Sequence, residues 1–244
     1  MIVAGRASSV ADQAGDDGDR SPAALILEEL RTTMSLNDVA GYLGDFGAGG
    51  DAASRKLAAV TGEQIDLAVE EHRLALINWL RSWGTRHLRR ADTARTSEAL
   101  RGWWEAWGSR LPGDQESLTG LDEAGLILAG EAYDDLRARP AARRSVKDRD
   151  LDVSFGDTAA AKALYALRPR VFPPWDEPIR RAFGRPAGGA AYVRLLRLSA
   201  AALNGLAGRL DVPVADLPAL LRRPWSTPPR LVDELLLVRV PRGG

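Results

Sequence analysis

Lys162 and Asp176, fourteen positions apart in the stretch Leu151–Gly184, are the residues of this chain whose types and spacing best suit chemistry. A fixed carboxylate can stabilise developing positive charge or activate an attacking group. An amine that burial has partly stripped of its proton affinity is a nucleophile. The local sequence predicts how each is held. Gly156 permits a tight turn, and Asp157 is placed to cap a helix beginning at Thr158. That helix is Ala-rich in its first turns, so another backbone can come close, and Lys162 lies within it. Pro169 stops it. The loop RVFPPW then delivers Asp176 to the start of the next helix, where Pro178 suits the first turn. Each residue also has a purely structural reading. Asp176 before Glu177-Pro178 is a good N-cap, Lys162 can be a solvated residue or simply a partner for Asp176, and Phe172 and Trp175 can be core anchors.

Other chemistries lose ground. The chain has no cysteine, which excludes disulfides, thiolate metal sites and cysteine nucleophiles and fits a reducing cytoplasm. Its two histidines, His72 and His87, are too few and too far apart for a transition-metal site without an HExxH pattern, and His72 falls on an apolar stripe as a hydrogen-bonded core residue would. No GxSxG, P-loop or GxGxxG occurs, so neither a serine hydrolase nor a cofactor-dependent enzyme is expected. Five of the seven tryptophans lie between positions 79 and 107. Trp79 and Trp83, then Trp103 and Trp107, recur at four-residue steps. That spacing gives either a stacking surface for bases or, as the acidic surroundings favour, an aromatic seam between packed helices.

The elements that must position these residues read as helices throughout. Apolar periodicity predicts them over 22–33, 35–46, 64–83, 96–110, 121–137, 158–167, 177–183, 190–209, 214–222 and 229–238. Ser35 caps the second and the Gly47–Gly50 cluster ends it. No stretch shows strand alternation bounded by hairpin turns, so the expected class is all-α and multi-helix. Patterning lapses over 139–150, either a joint between lobes or an exposed basic loop. Residues 1–21, rich in Gly, Ser and Asp, read as a disordered tail without the cationic start of a secretory signal. Residues 22–244 read as one all-α domain, or as an acidic lobe 22–138 and a basic lobe 139–244. No run approaches the roughly 18 apolar residues of a membrane span.

The formal net charge is zero, yet residues 1–136 hold 13 Lys and Arg against 23 Asp and Glu, and residues 137–244 hold 20 against 10. Either the halves attract each other or the second meets an anionic partner, for which nucleic acid is the usual candidate. Arg168, Arg180 and Arg181 are the residues expected at phosphates.

From about Val146 to Gly184 the order of residues resembles the helix-hairpin-helix DNA glycosylase superfamily. There a hairpin glycine precedes a helix with the lysine of bifunctional members, and an aspartate opens a later helix ahead of an apolar and a basic residue. The matching positions are Gly156, Lys162, Asp176 and Ile179-Arg180. The resemblance implies catalysis by Asp176 and Lys162. The carboxylate would stabilise the positive charge that builds on the sugar as an N-glycosidic bond breaks, and the lysine could form a Schiff base. It also implies nucleic-acid contacts at Gly156 and Thr158, and a pocket for an extruded base that Tyr165 and Trp175 would line. The single hairpin glycine, the short spacing and the missing cluster cysteines depart from the family.

The string AAKALYALRPRVFPPWDEPIRRAFG also resembles a group of bacterial proteins of no assigned activity that read Ser-Lys-x-Leu-His … Pro … Phe-Pro-x-Trp-Asp. Their flanking segments have counterparts in WLRSWGTR from Trp79 and in LVDEL from Leu231, with Thr85 and Tyr165 where cysteine and histidine are common. The expectation is therefore a cytoplasmic DNA glycosylase-like protein acting on or binding damaged or modified DNA, with no metal and no membrane. The alternative is a non-catalytic helical protein that binds nucleic acid or another protein and keeps only the fold.

Overall fold

The computed structural model describes residues 20–45, 52–62, 64–85, 88, 92–146 and 149–240. Residues 1–19 of the tail expected at 1–21, the Gly47–Gly50 cluster and His87 lie outside the described residues, while Ser21 belongs to the start of the first helix. Local signals open most helices. Ser21 Oγ accepts the Ala24 N–H to cap α1 (Pro22–Thr32), with Pro22 at its first position. A reciprocal capping box opens α2 (Leu36–Asp45). Ser35 Oγ accepts the Asp38 N–H at 3.2 Å, while the Asp38 carboxylate accepts the Ser35 N–H at 3.0 Å. Asp92 caps α5 (Thr93–Trp107) and Asp122 caps α6 (Glu123–Ala138) in the same way.

Between them, α3 (Ala52–Thr61) is a helix that the sequence pattern did not mark. It is short, and Leu57 is its one fully buried large apolar residue, so its stripe is weak. It packs on α4 (Glu70–Ser82), which starts six residues later than expected. The residues ahead of α4 form a turn in which His72 Nδ1 accepts the Asp66 N–H at 3.0 Å. His72 is hydrogen-bonded but half-buried, a turn fastener rather than a core residue.

The fold is all-α with one exception, which falls where helical patterning lapses. β1 (Pro140–Val146) and β2 (Arg149–Ser154) form an antiparallel ribbon, registered from Pro140 opposite Ser154 to Val146 opposite Arg149. The ribbon hid from the sequence because its buried positions are the small Ala141 and Ala142, which give no apolar alternation. It is pinned by Thr96 Oγ1 donating to Ala141 O at 2.7 Å and by Arg95 pairing with Asp152 at 2.7 Å.

Then follow α7 (Gly156–Leu167), α8 (Glu177–Ala182), α9 (Gly189–Leu210), α10 (Leu217–Leu220) and α11 (Pro228–Arg239). The helix expected over 214–222 is a 3-10 turn at Val214–Asp216 followed by the single turn α10. The long α9 takes α1 and α6 against its sides, and α11 lies against α1, α2, α8 and α9. α6 and α9 cross at Gly130 and Gly189. A Cβ on Gly130 would stand 2.5 Å from Val193 Cγ2, so only hydrogen fits. The buried apolar residues form one cluster from Ala23 to Val240. The acidic and basic halves thus interleave, and their charges meet. Arg239 pairs with Glu29, Arg168 with Asp114 and Arg197 with Glu123, while Arg209 donates to the C-terminal carbonyls of α1. Among the described residues no helix is long and apolar enough to cross a membrane.

Candidate functional site

Four alanines flanking Lys162 (Ala159, Ala160, Ala161 and Ala163) are fully buried, so α7 offers little bulk to its neighbours. The C-terminus of α4 uses that room. Lys162 Nζ donates to the Trp83 carbonyl at 2.6 Å and stands 5.6 Å from the centre of the Trp83 ring. Trp83 is the C-cap of α4, where unpaired carbonyls and the helix dipole favour a cation. The same ammonium pairs with Asp176 Oδ1 at 2.5 Å. The two residues singled out from the sequence therefore converge on one point.

Asp176 stands at the N-cap of α8 but does not cap it with its side chain. Pro178 occupies the second helical position and has no N–H to give, and the carboxylate turns to Lys162 instead. The lysine side chain is 5 % exposed and the aspartate side chain 25 %, so solvent reaches the pair from the Asp176 side.

A third segment closes the cluster. On α11, Asp233 Oδ2 accepts from Arg230 at 2.7 Å, Glu234 accepts from Arg230 at 3.3 Å, and Glu234 pairs with Arg223 at 2.7 Å. Asp233 is 1 % exposed, and its Oδ1 has no hydrogen-bond partner. Burial, chiefly, pushes its carboxyl up to about 7, with Arg230 pulling the other way and the nearby Asp176 and Glu234 charges adding to the rise. The arrangement thus holds one carboxylate on a lysine and a second carboxyl that is half protonated near neutrality. Asp233, Glu234, Arg230 and Arg223 are not among the chemical groups expected from the sequence. A signal was present, because two acids interrupt the leucine-rich run LVDELLL and leave the helix no polar face of its own. The three segments matched to the second resemblance, at Trp83, Lys162–Asp176 and Asp233–Glu234, meet here.

Other expected residues are placed differently. Asp157 does not cap α7, which begins at Gly156 in a left-handed conformation (φ 68°). Its carboxylate accepts from Tyr133 Oη at 2.9 Å and pairs with Arg180 at 3.0 Å, tying α7 to α6 and α8. Arg180, expected at phosphate, is thereby spent inside the protein and also meets Glu177 at 3.3 Å. Arg168 is spent likewise, donating to Pro112 O at 2.6 Å and pairing with Asp114 at 3.1 Å. Arg181 is exposed, while Gly156 and Thr158 are half-buried. Trp175 is a core residue packed against Tyr133, Phe183 and Tyr192, not part of a pocket wall. Tyr165 does reach a cleft. It stacks on Trp83, with ring centres 5.6 Å apart, and with Trp79 lines a space of about 240 Å³ whose rim carries the half-exposed Trp225. The remaining tryptophans form a seam, Trp103 donating to Ala132 O and Trp107 to Asp135 across the α5–α6 contact.

Among the described residues no group of three His, Asp or Glu is placed to hold a metal ion. Comparisons with protein-family models, with curated proteins and with solved structures find no match to this chain.

Proposed function

We propose that this protein is DNA glycosylase-like and releases a base from damaged or modified DNA by hydrolysis at Asp176. The observation that carries the reading is the contact of Lys162 Nζ with Asp176 Oδ1 at 2.5 Å, buried on the lysine side and open on the aspartate side. As the bond from sugar to base breaks, C1′ gathers positive charge that a fixed carboxylate stabilises. Asp176 takes a proton from the attacking water, whose oxygen bonds to C1′; the bonding pair leaves with the base, which takes up a proton from solvent, and Asp176 returns its own to solvent. Lys162 acts as the cation that fixes Asp176. Its donors go to Trp83 O and to Asp176, which leaves an amine ill-placed to attack sugar itself. Tyr165 and Trp79, which line a cleft, are the stacking surface for an extruded base. A cysteine-free chain suits the cytoplasm, where such a substrate resides.

The test is incubation with a panel of lesion-bearing duplexes, followed by alkali to cut abasic sites and, separately, by borohydride. Base release without a trapped adduct is expected, and Asp176→Asn abolishes it. Release that survives that substitution, or an adduct that depends on Lys162, overturns the assignment of roles, and no release from any lesion removes the activity. A second reading is a non-catalytic helical protein that binds nucleic acid or another protein. It is favoured by the near-complete burial of Lys162 and Asp233 and by the internal pairing of Arg168 and Arg180. That reading keeps salt-dependent binding to the same duplexes, weakened by Arg181→Ala, with no chemistry.

A further inference from the structure

A cavity of about 530 Å³ is lined by none of the charged cluster around Lys162 and Asp176. Its size falls in the range of small-molecule sites. Four regions of the chain build it: Ser117–Thr119, Arg170 beyond α7, Leu203 of α9, and residues between Val214 and Pro229 that lead through α10 to the start of α11. Two of these walls are tied directly, the Leu118 N–H donating to Arg170 O at 3.0 Å.

Three features point to an occupant. First, the walls are rigid. Pro218, Pro224, Pro228 and Pro229 all line the cavity, and proline has a fixed φ and no flexible side chain to collapse inward. Protein interiors ordinarily fill such space. Second, the lining is charge-asymmetric. Leu118, Leu203 and Val214 supply apolar surface, no carboxylate is present, and the sole charge is the Arg170 guanidinium, held by Gln115 Oε1 at 3.1 Å. Third, hydroxyls cluster in the walls. Ser117 and Thr119 stand 3.4 Å apart, and Ser226 Oγ and Thr227 Oγ1 are sequestered without a hydrogen-bond partner in the protein. Thr227 sits at the N-cap of α11, but Pro228 and Pro229 remove the N–H groups at the first two helical positions and its hydroxyl makes no cap.

We infer that this cavity is a binding site for a small organic anion with an apolar body, its anionic head on Arg170 and its body against Leu118, Leu203 and the prolines. A guanidinium matches a carboxylate, sulfonate or phosphate head in the same fork geometry, so head charge rather than head identity is the recognised property. The site shares Thr227 with the cleft at Tyr165 but no residue of the Lys162–Asp176 cluster, and none of the variants below touches either.

The test uses the full chain and two fluorescent probes that share an apolar body, the sulfonate 8-anilinonaphthalene-1-sulfonate and the uncharged N-phenyl-1-naphthylamine. The titration is run on folded protein, checked by near-ultraviolet circular dichroism. The sulfonate is expected to bind saturably at one site, about tenfold more tightly than the neutral probe, and Arg170→Ala is expected to remove that preference while leaving the neutral probe unchanged. Ala219→Trp, which fills the cavity from α10, weakens both probes, and Val214→Trp fills it from the facing turn should the first variant fail to fold. Absence of saturable binding overturns the inference. So does sulfonate affinity within twofold of wild type in Arg170→Ala, and so do filling variants that fold yet bind both probes normally.

Discussion

Two ion pairs join α7 to α8, and they differ in what they leave over. α7 contributes Asp157 and Lys162, and α8 answers with Arg180 and, at its N-cap, Asp176. In the first pair both side chains are almost equally enclosed, 13 % and 14 % exposed, and Asp157 also takes the Tyr133 hydroxyl. In the second the lysine is sealed against Trp83 O while the carboxylate keeps an open side, with the unpaired Asp233 Oδ1 in the same cluster. The same kinds of charge on the same two helices thus serve different ends. One pair is enclosed at both ends and fastens the fold, with Arg180 Nε left unpartnered. The other retains an accessible carboxylate, which is what catalysis requires.

The largest effect that would test this contrast comes from removing either cation. Arg180→Met leaves the enclosed Asp157 carboxylate uncompensated and is expected to destabilise the fold by about 3–5 kcal/mol in denaturant titrations, and Lys162→Met, which leaves the more solvated Asp176, by about 2–3 kcal/mol. A Lys162 variant that loses less than about 1 kcal/mol would place that lysine in solvent and dissolve the comparison. Next in size is the pH dependence set by Asp233. Its folded carboxyl is raised from 3.8 to about 7, so between those values the unfolded chain has released a proton that the folded chain retains. Stability from this group is therefore full below pH 4 and falls as pH rises to 7, by on the order of 3 kcal/mol. Asp233→Asn should flatten that fall in thermal unfolding followed from pH 4.5 to 7.5, and an unchanged profile would relocate the titrating group. The exposed carboxylates lowered by arginine or serine partners, such as Glu98 and Asp38, act with the opposite sign and at lower pH.

The smallest effect separates the aspartates themselves. Asp157→Asn is expected to cost about 2 kcal/mol and Asp176→Asn about 1 kcal/mol, because solvent already shares the second carboxylate. Under the proposed function the ranking of activity is the reverse, with base release expected to be lost in Asp176→Asn and retained in Asp157→Asn. Equal losses of stability and activity in both variants would mean that the two pairs do one job.

How far the sequence could be read follows from what each feature depends on. Pro22 and Ser35 mark helix starts by chemistry that acts within one turn, and the structure places a first-turn proline and a cap there, while Asp92 and Asp122 cap helices expected to begin at 96 and 121. The ribbon at 140–154 escaped notice because alanines and paired charges carry no alternating apolar signal. Asp157 and Asp176 both looked like caps, since cap preference is local, yet each turned to a cation on a neighbouring helix. The charge division between halves was legible, but its meaning was not. Arg239 and Glu29, 210 positions apart, cannot be paired by inspection of the chain.

By itself, the sequence determined that the protein is helical, where most helices begin, and that Lys162 and Asp176 fall on successive helices, because caps, prolines and apolar periodicity act over a few residues. Only the tertiary structure decided that the two side chains meet, that Asp233 joins them from α11, and that Arg168 and Arg180 are consumed within the fold. Which carboxylate meets which cation is set by how whole helices pack, and Gly130 against Gly189 or alanines against the end of α4 fix those distances across long stretches of chain.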